Sequence, residues 1–288
     1  MNENARPEPT SLAPLQIPIP GCREAGQGPS VVCIHGSASS SGQWRPLMDR
    51  LSDRFRLIAP DLYGHGHTPP WPDHRGMYVD DEVDLLQPVL LLAGDRFHLI
   101  GHSWGGAIAL KAAIRYLPRL LSLVLFEPAL WSLLIADDPC SVPARDIAAN
   151  QNETQRLIDG GDYAGAGEYF IDYWIGPGTW QGMTEARRSA FATGMAAASP
   201  EWHASFHEAT PLAAFAAVDV PALLLSGTKS TAPARAITRL LSSVLPHSKI
   251  LELEGIGHMG PVTHPEVVNS AIETFLLNIS EHQADTHL

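Results

Sequence analysis

Short all-apolar runs alternate along the chain with longer stretches in which apolar residues recur at helical spacing. Residues 31–34, 55–59, 97–100, 121–126, 220–225 and 249–253 are predicted as strands. Several are apolar at successive positions, as in Val31-Val32-Cys33-Ile34, which is the mark of a strand buried on both faces of a parallel sheet. Between them, residues 42–51, 78–93, 105–116, 234–244 and 265–277 carry helical patterns. Pro88 is expected to kink or split the second of these, because proline lacks an N–H and its ring meets the preceding turn. A short edge hairpin is expected from Leu15. The alternation predicts an α/β fold, a mostly parallel sheet covered by helices on both faces.

The rhythm breaks after Pro128. Residues 129–217 are helical in composition, show no strong strand pattern and hold many of the aromatics, among them Trp131, Phe170, Trp174, Trp180 and Trp202. They are expected to form a helical cap inserted between two core strands. The core then comprises residues 14–128 and 218–278. Residues 1–13, dominated by Pro, Glu and Asn, are expected to be a disordered extension, and residues 279–288 a polar tail.

Composition narrows the function. A hydrophobic content of 45% over 288 residues permits a large buried core. The formal charge of −12 argues against nucleic acid, whose phosphates need a basic footprint, and against strongly anionic substrates. The three cysteines, Cys22, Cys33 and Cys140, are scattered and show no metal-binding spacing. His203 and His207 are four apart in the cap but have no evident third ligand, so no metal is expected. No dinucleotide or phosphate loop occurs, so no cofactor is implied. The first twenty residues lack the basic and apolar regions of a signal peptide, and no run reaches the roughly 18 apolar residues of a membrane span. A soluble cytoplasmic protein acting on a small molecule is the expectation; the sequence does not specify an oligomeric state.

Candidate chemistry centres on Gly101-His102-Ser103-Trp104-Gly105, between an apolar strand and a helical pattern. G-x-S-x-G in this setting puts a serine on a tight, strained turn with its hydroxyl exposed above the sheet, and the glycines keep the turn clear of its neighbours. Ser103 is the candidate nucleophile. A serine hydroxyl needs a base, and His258, in the glycine-rich loop after the last strand, is the candidate.

Four motifs in order, His35-Gly36-Ser37, residues 60–66 (Pro-Asp-Leu-Tyr-Gly-His-Gly), residues 101–106 and Gly257-His258-Met259-Gly260, resemble those of the α/β-hydrolase superfamily across residues 29–278. The resemblance implies the fold, His258 as base, His35 and His102 as loop buttresses, and an oxyanion hole from the backbone N–H groups of Trp104 and Ser37. One position departs from the pattern. Many members carry an aspartate where this chain has Ser230, and residues 227–247 contain no carboxylate. The acid is instead expected at Glu127, which ends the strand after the elbow helix, 24 residues beyond Ser103. Some members, haloalkane dehalogenases among them, place their acid there. Asp61 is the alternative acid, although the family uses that position to hold a loop.

A serine nucleophile argues against dehalogenase and epoxide hydrolase chemistry, which begin with carboxylate attack. The expected reaction is hydrolysis of small to medium apolar carboxylic esters through an acyl-enzyme. A lactonase or carbon–carbon bond hydrolase on the same residues, and a ligand-binding homologue without turnover, remain open. Trp131, Trp174 and Met259 are the expected pocket wall, with Trp104 tied to the site by its place beside Ser103.

Overall fold

The computed structural model describes residues 17–72 and 75–285. The disordered extension expected at 1–13 lies outside them. Seven strands form one sheet in the order β1-β3-β2-β4-β5-β6-β7. They are β1 (Cys22–Ala25), β2 (Ser30–Ile34), β3 (Arg56–Pro60), β4 (Phe97–His102), β5 (Leu120–Phe126), β6 (Ala222–Gly227) and β7 (Ser248–Leu253). All pairings are parallel except β1 with β3. The expected hairpin at the start of the chain is therefore a single edge strand. It skips β2 and pairs antiparallel with β3, which leaves β2 buried between two parallel neighbours.

The apolar strands sort their side chains by face. Val31 and Cys33 join one apolar cluster with Leu47, Met48 and Leu51 of α1 (Arg45–Leu51) and Val268, Ile272 and Leu276 of α11 (Pro265–Asp285). Val32 and Ile34 join the other, with α2 (Val79–Leu92), α3 (Trp104–Arg115) and α9 (Ala232–Ser242). Each fully buried Leu, Ile or Val contributes roughly 1.5–3 kcal/mol relative to exposure, so both faces are strongly committed to helices.

Two helices differ from the sequence expectation. α2 runs unbroken through Pro88. Pro88 is exposed, so the carbonyl that loses its N–H partner is on the wet side of the helix. α11 continues to Asp285, into the segment expected to be a polar tail. A tail of Glu, Gln and Ala needs no apolar face to extend a helix that is already anchored by its first four turns.

Between β5 and β6 the chain forms five helices: α4 (Trp131–Asp137), α5 (Val142–Asp159), α6 (Tyr163–Trp174), α7 (Thr179–Gly182) and α8 (Glu185–His207). Trp131, Phe170, Trp174 and Trp202 from these helices belong to the same apolar cluster as α2, α3 and α9. They cover the end of the sheet at which β4 and β5 finish. The remaining short helix, α10 (Gly260–Thr263), follows the loop after β7.

The β4–α3 turn has no room for side chains at its glycines. A Cβ on Gly105 would overlap the carbonyl oxygens of Ile34 and His35, both backbone atoms of the neighbouring strand end. Gly105→Ala is expected to cost about 3 kcal/mol or more, at or above the upper end for overpacking a core, because backbone cannot rotate away. Thermal unfolding checks this: a midpoint within a degree of wild type would show that the turn is looser than described.

Candidate active site

Register places the chemistry. His102, Phe126 and Leu225 are opposite one another on β4, β5 and β6. The next residues, Ser103, Glu127 and Ser226, therefore sit side by side at the carboxyl edge of the sheet, where parallel strands spaced about 4.8 Å apart deliver their loops. Ser103 has φ 51° and ψ −117°, and Glu127 has φ 45°. Such backbone costs on the order of 1–3 kcal/mol per residue and persists only where surrounding bonds impose it. They do so here. Ser103 N–H donates to the Phe126 carbonyl (2.9 Å), and the Ser103 carbonyl accepts from Gly106, Ala107 and Ala129. Glu127 N–H donates to the Leu225 carbonyl (3.2 Å).

The loop after β7 returns His258 between them. Its Nε2 lies 2.9 Å from Ser103 Oγ and its Nδ1 2.8 Å from Glu127 Oε2. All three residues are buried, Glu127 completely. The other carboxylate oxygen, Oε1, accepts from Ser226 Oγ and Gly227 N–H, each at 2.8 Å. A carboxylate in this position accepts from the imidazole Nδ1–H, so Nε2 is the lone-pair nitrogen facing the hydroxyl. An imidazole held this way can take the hydroxyl's proton as the oxygen attacks.

Asp61 is elsewhere. It accepts from the backbone N–H groups of Ser41 (2.7 Å) and His67 (3.1 Å), and so clasps the loops after β2 and β3. Burial pushes its carboxyl up, and these hydrogen bonds more than offset that, leaving it below the ordinary carboxylate range. Ser230 has its hydroxyl buried without a hydrogen-bond partner among the described residues.

His35 and His102 are struts beside the site. His35 Nε2 accepts from Leu62 N–H (3.1 Å), so its Nδ1–H donates to the Gly36 carbonyl (2.8 Å). Burial, reinforced by His65, pushes its pKa down to about 3. His102 Nε2–H donates to the His258 carbonyl (2.9 Å), and burial with the adjacent His258 holds it well below the ordinary value. Gly36 N–H donates to Gln43 Oε1 (3.2 Å), which steadies the loop that carries Ser37.

Trp104 begins α3, so its backbone N–H has no intrahelical acceptor. Ser37 and Trp104 both line a narrow cavity that also holds Ser103. Its remaining walls are Ala129, Trp131, Phe170, Trp174, Glu201, Trp202 and Ser205. Trp174 lies over the His258 ring, centroids 4.3 Å apart, and stacks on Trp131 at 5.9 Å. Met259 is a correction. It is not part of this lining; its side chain is half-buried and packs against the larger apolar cluster. The sequence reading missed Phe170, Glu201, Trp202 and Ser205. Glu201, Trp202 and Ser205 do carry a signal, since positions i, i+1 and i+4 share one helical face. His203 and His207 stack on each other at 4.3 Å, and no group of metal-binding residues occurs among the described residues. No helix among them is long and apolar enough to cross a membrane.

Among curated proteins, an uncharacterized protein of Mycobacterium bovis is 36% identical over 109 residues, 37% of this chain and 31% of its own length. The match thus spans about a third of that relative. A 2-hydroxy-6-oxo-2,4-heptadienoate hydrolase of Pseudomonas putida is 41% identical over 107 residues, 35% of this chain and 38% of its own. Among solved structures, an alpha/beta hydrolase from Sphaerobacter thermophilus superposes with a TM-score of 0.68 at 26% identity, covering 89% of this chain and 95% of that one. The sequence profile of the Alpha/beta hydrolase family matches residues 31–271. With that profile spanning the parallel strands of the sheet, the helices between β5 and β6 and the loop of His258, the chain belongs to the alpha/beta hydrolase family.

Proposed function

We propose that the protein is a serine hydrolase that cleaves small to medium, mainly apolar carboxylic esters. The observation that carries this reading is the continuous relay from Ser103 Oγ through His258 to Glu127 Oε2, with spacings of 2.9 and 2.8 Å. Ser103 Oγ attacks the ester carbon while His258 Nε2 takes its proton, and Glu127 stabilises the imidazolium. The carbonyl oxygen becomes an oxyanion that accepts from the Trp104 and Ser37 N–H groups. The tetrahedral species collapses, His258 gives its proton to the departing alcohol oxygen, and an acyl-Ser103 ester remains. Water then attacks with His258 again as base, releasing the acid and restoring the hydroxyl. Trp174 over His258 and the indole walls keep the site dry, which strengthens both the ion pair and the oxyanion bonds.

The space beside Ser103 is narrow and closed in by indole and phenyl rings, so the acyl chain it admits is short. Hydrolysis of an aryl ester series of increasing acyl length is expected to peak at short chains and fall steeply beyond them. Absence of turnover across the whole series would sink the ester reading.

A second reading uses the same three residues on a lactone or on a carbon–carbon bond of a diketone. The likeness to the Pseudomonas hydrolase over a third of the chain favours it. Turnover of a vinylogous diketone in preference to every ester would select it.

A further inference from the structure

The cavity beside Ser103 is lined by a carboxylate that hydrolysis does not use. Its walls are otherwise indole, phenyl and methyl, apart from Ser37, Ser103 and Ser205. Ser37 and Ser103 belong to the reaction. Ser205 Oγ is consumed by the backbone, donating to the Ala129 carbonyl and accepting from Trp131 N–H at 3.4 Å. Glu201, 3% exposed, remains. Its Oε1 is bound to His65 Nε2 at 2.6 Å, while Oε2 is buried with no hydrogen-bond partner among the described residues. A buried carboxylate oxygen without a donor is costly, and such groups are rare in folded proteins without a reason.

From this we propose that Glu201 Oε2 is a polar subsite that accepts a hydrogen bond from a neutral donor, a hydroxyl, carried on the acyl part of the substrate. The proposal rests on the serine hydrolase reading above and narrows its substrate class. A mainly apolar acyl group with one hydroxyl fills the aromatic walls and supplies the donor that the carboxylate oxygen lacks.

The surroundings favour a neutral donor over a cation. Burial pushes the His65 ring down, but the charge and hydrogen bond of Glu201 push it up by more. Glu82 lies completely buried on α2, where burial and then the charge of Glu201 drive its carboxyl well above the ordinary range. Glu201 already has His65 Nε2 against its Oε1 at 2.6 Å, so its charged partner is built into the fold. The second oxygen is left as a fixed acceptor, which a hydroxyl completes without bringing a second buried cation to the same carboxylate.

The pair also pins α8 to the loop after β3, so loss of activity alone would not distinguish a binding role from a structural one. Selectivity does. The p-nitrophenyl esters of butanoate and of α- and β-hydroxybutanoate are compared by kcat/KM on wild type and Glu201→Met. A site built to hydrogen-bond a hydroxyl rejects the analogue lacking it, so wild type is expected to prefer one hydroxy ester by at least about tenfold. Glu201→Met is expected to lose that preference, read within the variant as the ratio of kcat/KM for the hydroxy and plain esters, whatever its absolute rate on butanoate. Equal rates on all three esters in wild type, or an unchanged preference in Glu201→Met, would overturn the subsite. Should Glu201→Met not fold, Glu201→Leu, which likewise removes both the acceptor and any donor, is read by the same ratio, and the wild-type preference stands as a test by itself. The intact esters are also titrated calorimetrically into Ser103→Ala. If no ester is turned over, the ester reading fails, and tighter or equal binding of the hydroxy ester there upholds or overturns the subsite on its own.

Discussion

Ser103→Ala is expected to lower kcat/KM on the best aryl ester by a factor on the order of 10⁴–10⁶, the range found when a triad serine is removed. The side chain makes one hydrogen bond, to His258 Nε2, and the backbone bonds that hold its strained φ of 51° are untouched by the change. Alanine bears that φ no better or worse than serine, since both carry a Cβ. Fold and stability should therefore survive, and thermal unfolding within a few degrees of wild type is part of the expected result. Residual turnover above water should persist, because the Trp104 and Ser37 amides still face the carbonyl oxygen. Turnover within tenfold of wild type would remove Ser103 as nucleophile and with it the acyl-enzyme.

What could be read from the sequence followed how locally each feature is determined. The parallel strands were legible because burial on both faces leaves no polar position to confuse the period, as in Val31–Ile34 and Leu120–Phe126. The edge strand Cys22–Ala25 was not, because its partner is chosen by topology and its own burial alternates weakly. Pro88 misled because the local rule counts the missing hydrogen bond without knowing that the exposed carbonyl can turn to water. Ser103 and His258 lie in turns whose glycines are dictated within a few residues. The place of Glu127 in the candidate site could be inferred because a carboxylate directly after the apolar run Leu123–Phe126 needs a partner, but the partners themselves, Ser226 Oγ and Gly227 N–H, come from a strand about a hundred residues away. The cavity wall was the least legible. Which faces of α6 and α8 turn inward is set by packing among the helices between β5 and β6, so Phe170, Glu201 and Trp202 could not be told from the other cap residues.

Glu127→Gln should test the acid more sharply than any deletion, because the structure dictates which way the amide must sit. Oε1 receives two donors, Ser226 Oγ and Gly227 N–H, at 2.8 Å each. An amide nitrogen there would face the Gly227 N–H, which cannot turn away, and would leave it buried without an acceptor. The amide oxygen of the variant therefore keeps the Oε1 position, and its NH₂ takes the Oε2 position, 2.8 Å from His258 Nδ1. An N–H donor at that point requires Nδ1 to be the lone-pair nitrogen. The proton moves to Nε2, which then points an N–H at Ser103 Oγ and can no longer accept from it. The imidazolium that forms in the transition state also loses its counter-charge in a fully buried site. Both effects act on chemistry and neither on substrate binding, so kcat is expected to fall by about 10⁴ with KM within a few fold, as for the corresponding change in a serine protease triad. Part of the lost activity should return at high pH, where hydroxide can remove the serine proton without the ring. A loss of less than about tenfold would mean that the Glu127 charge is not needed, and that His258 and Ser103 work as a dyad.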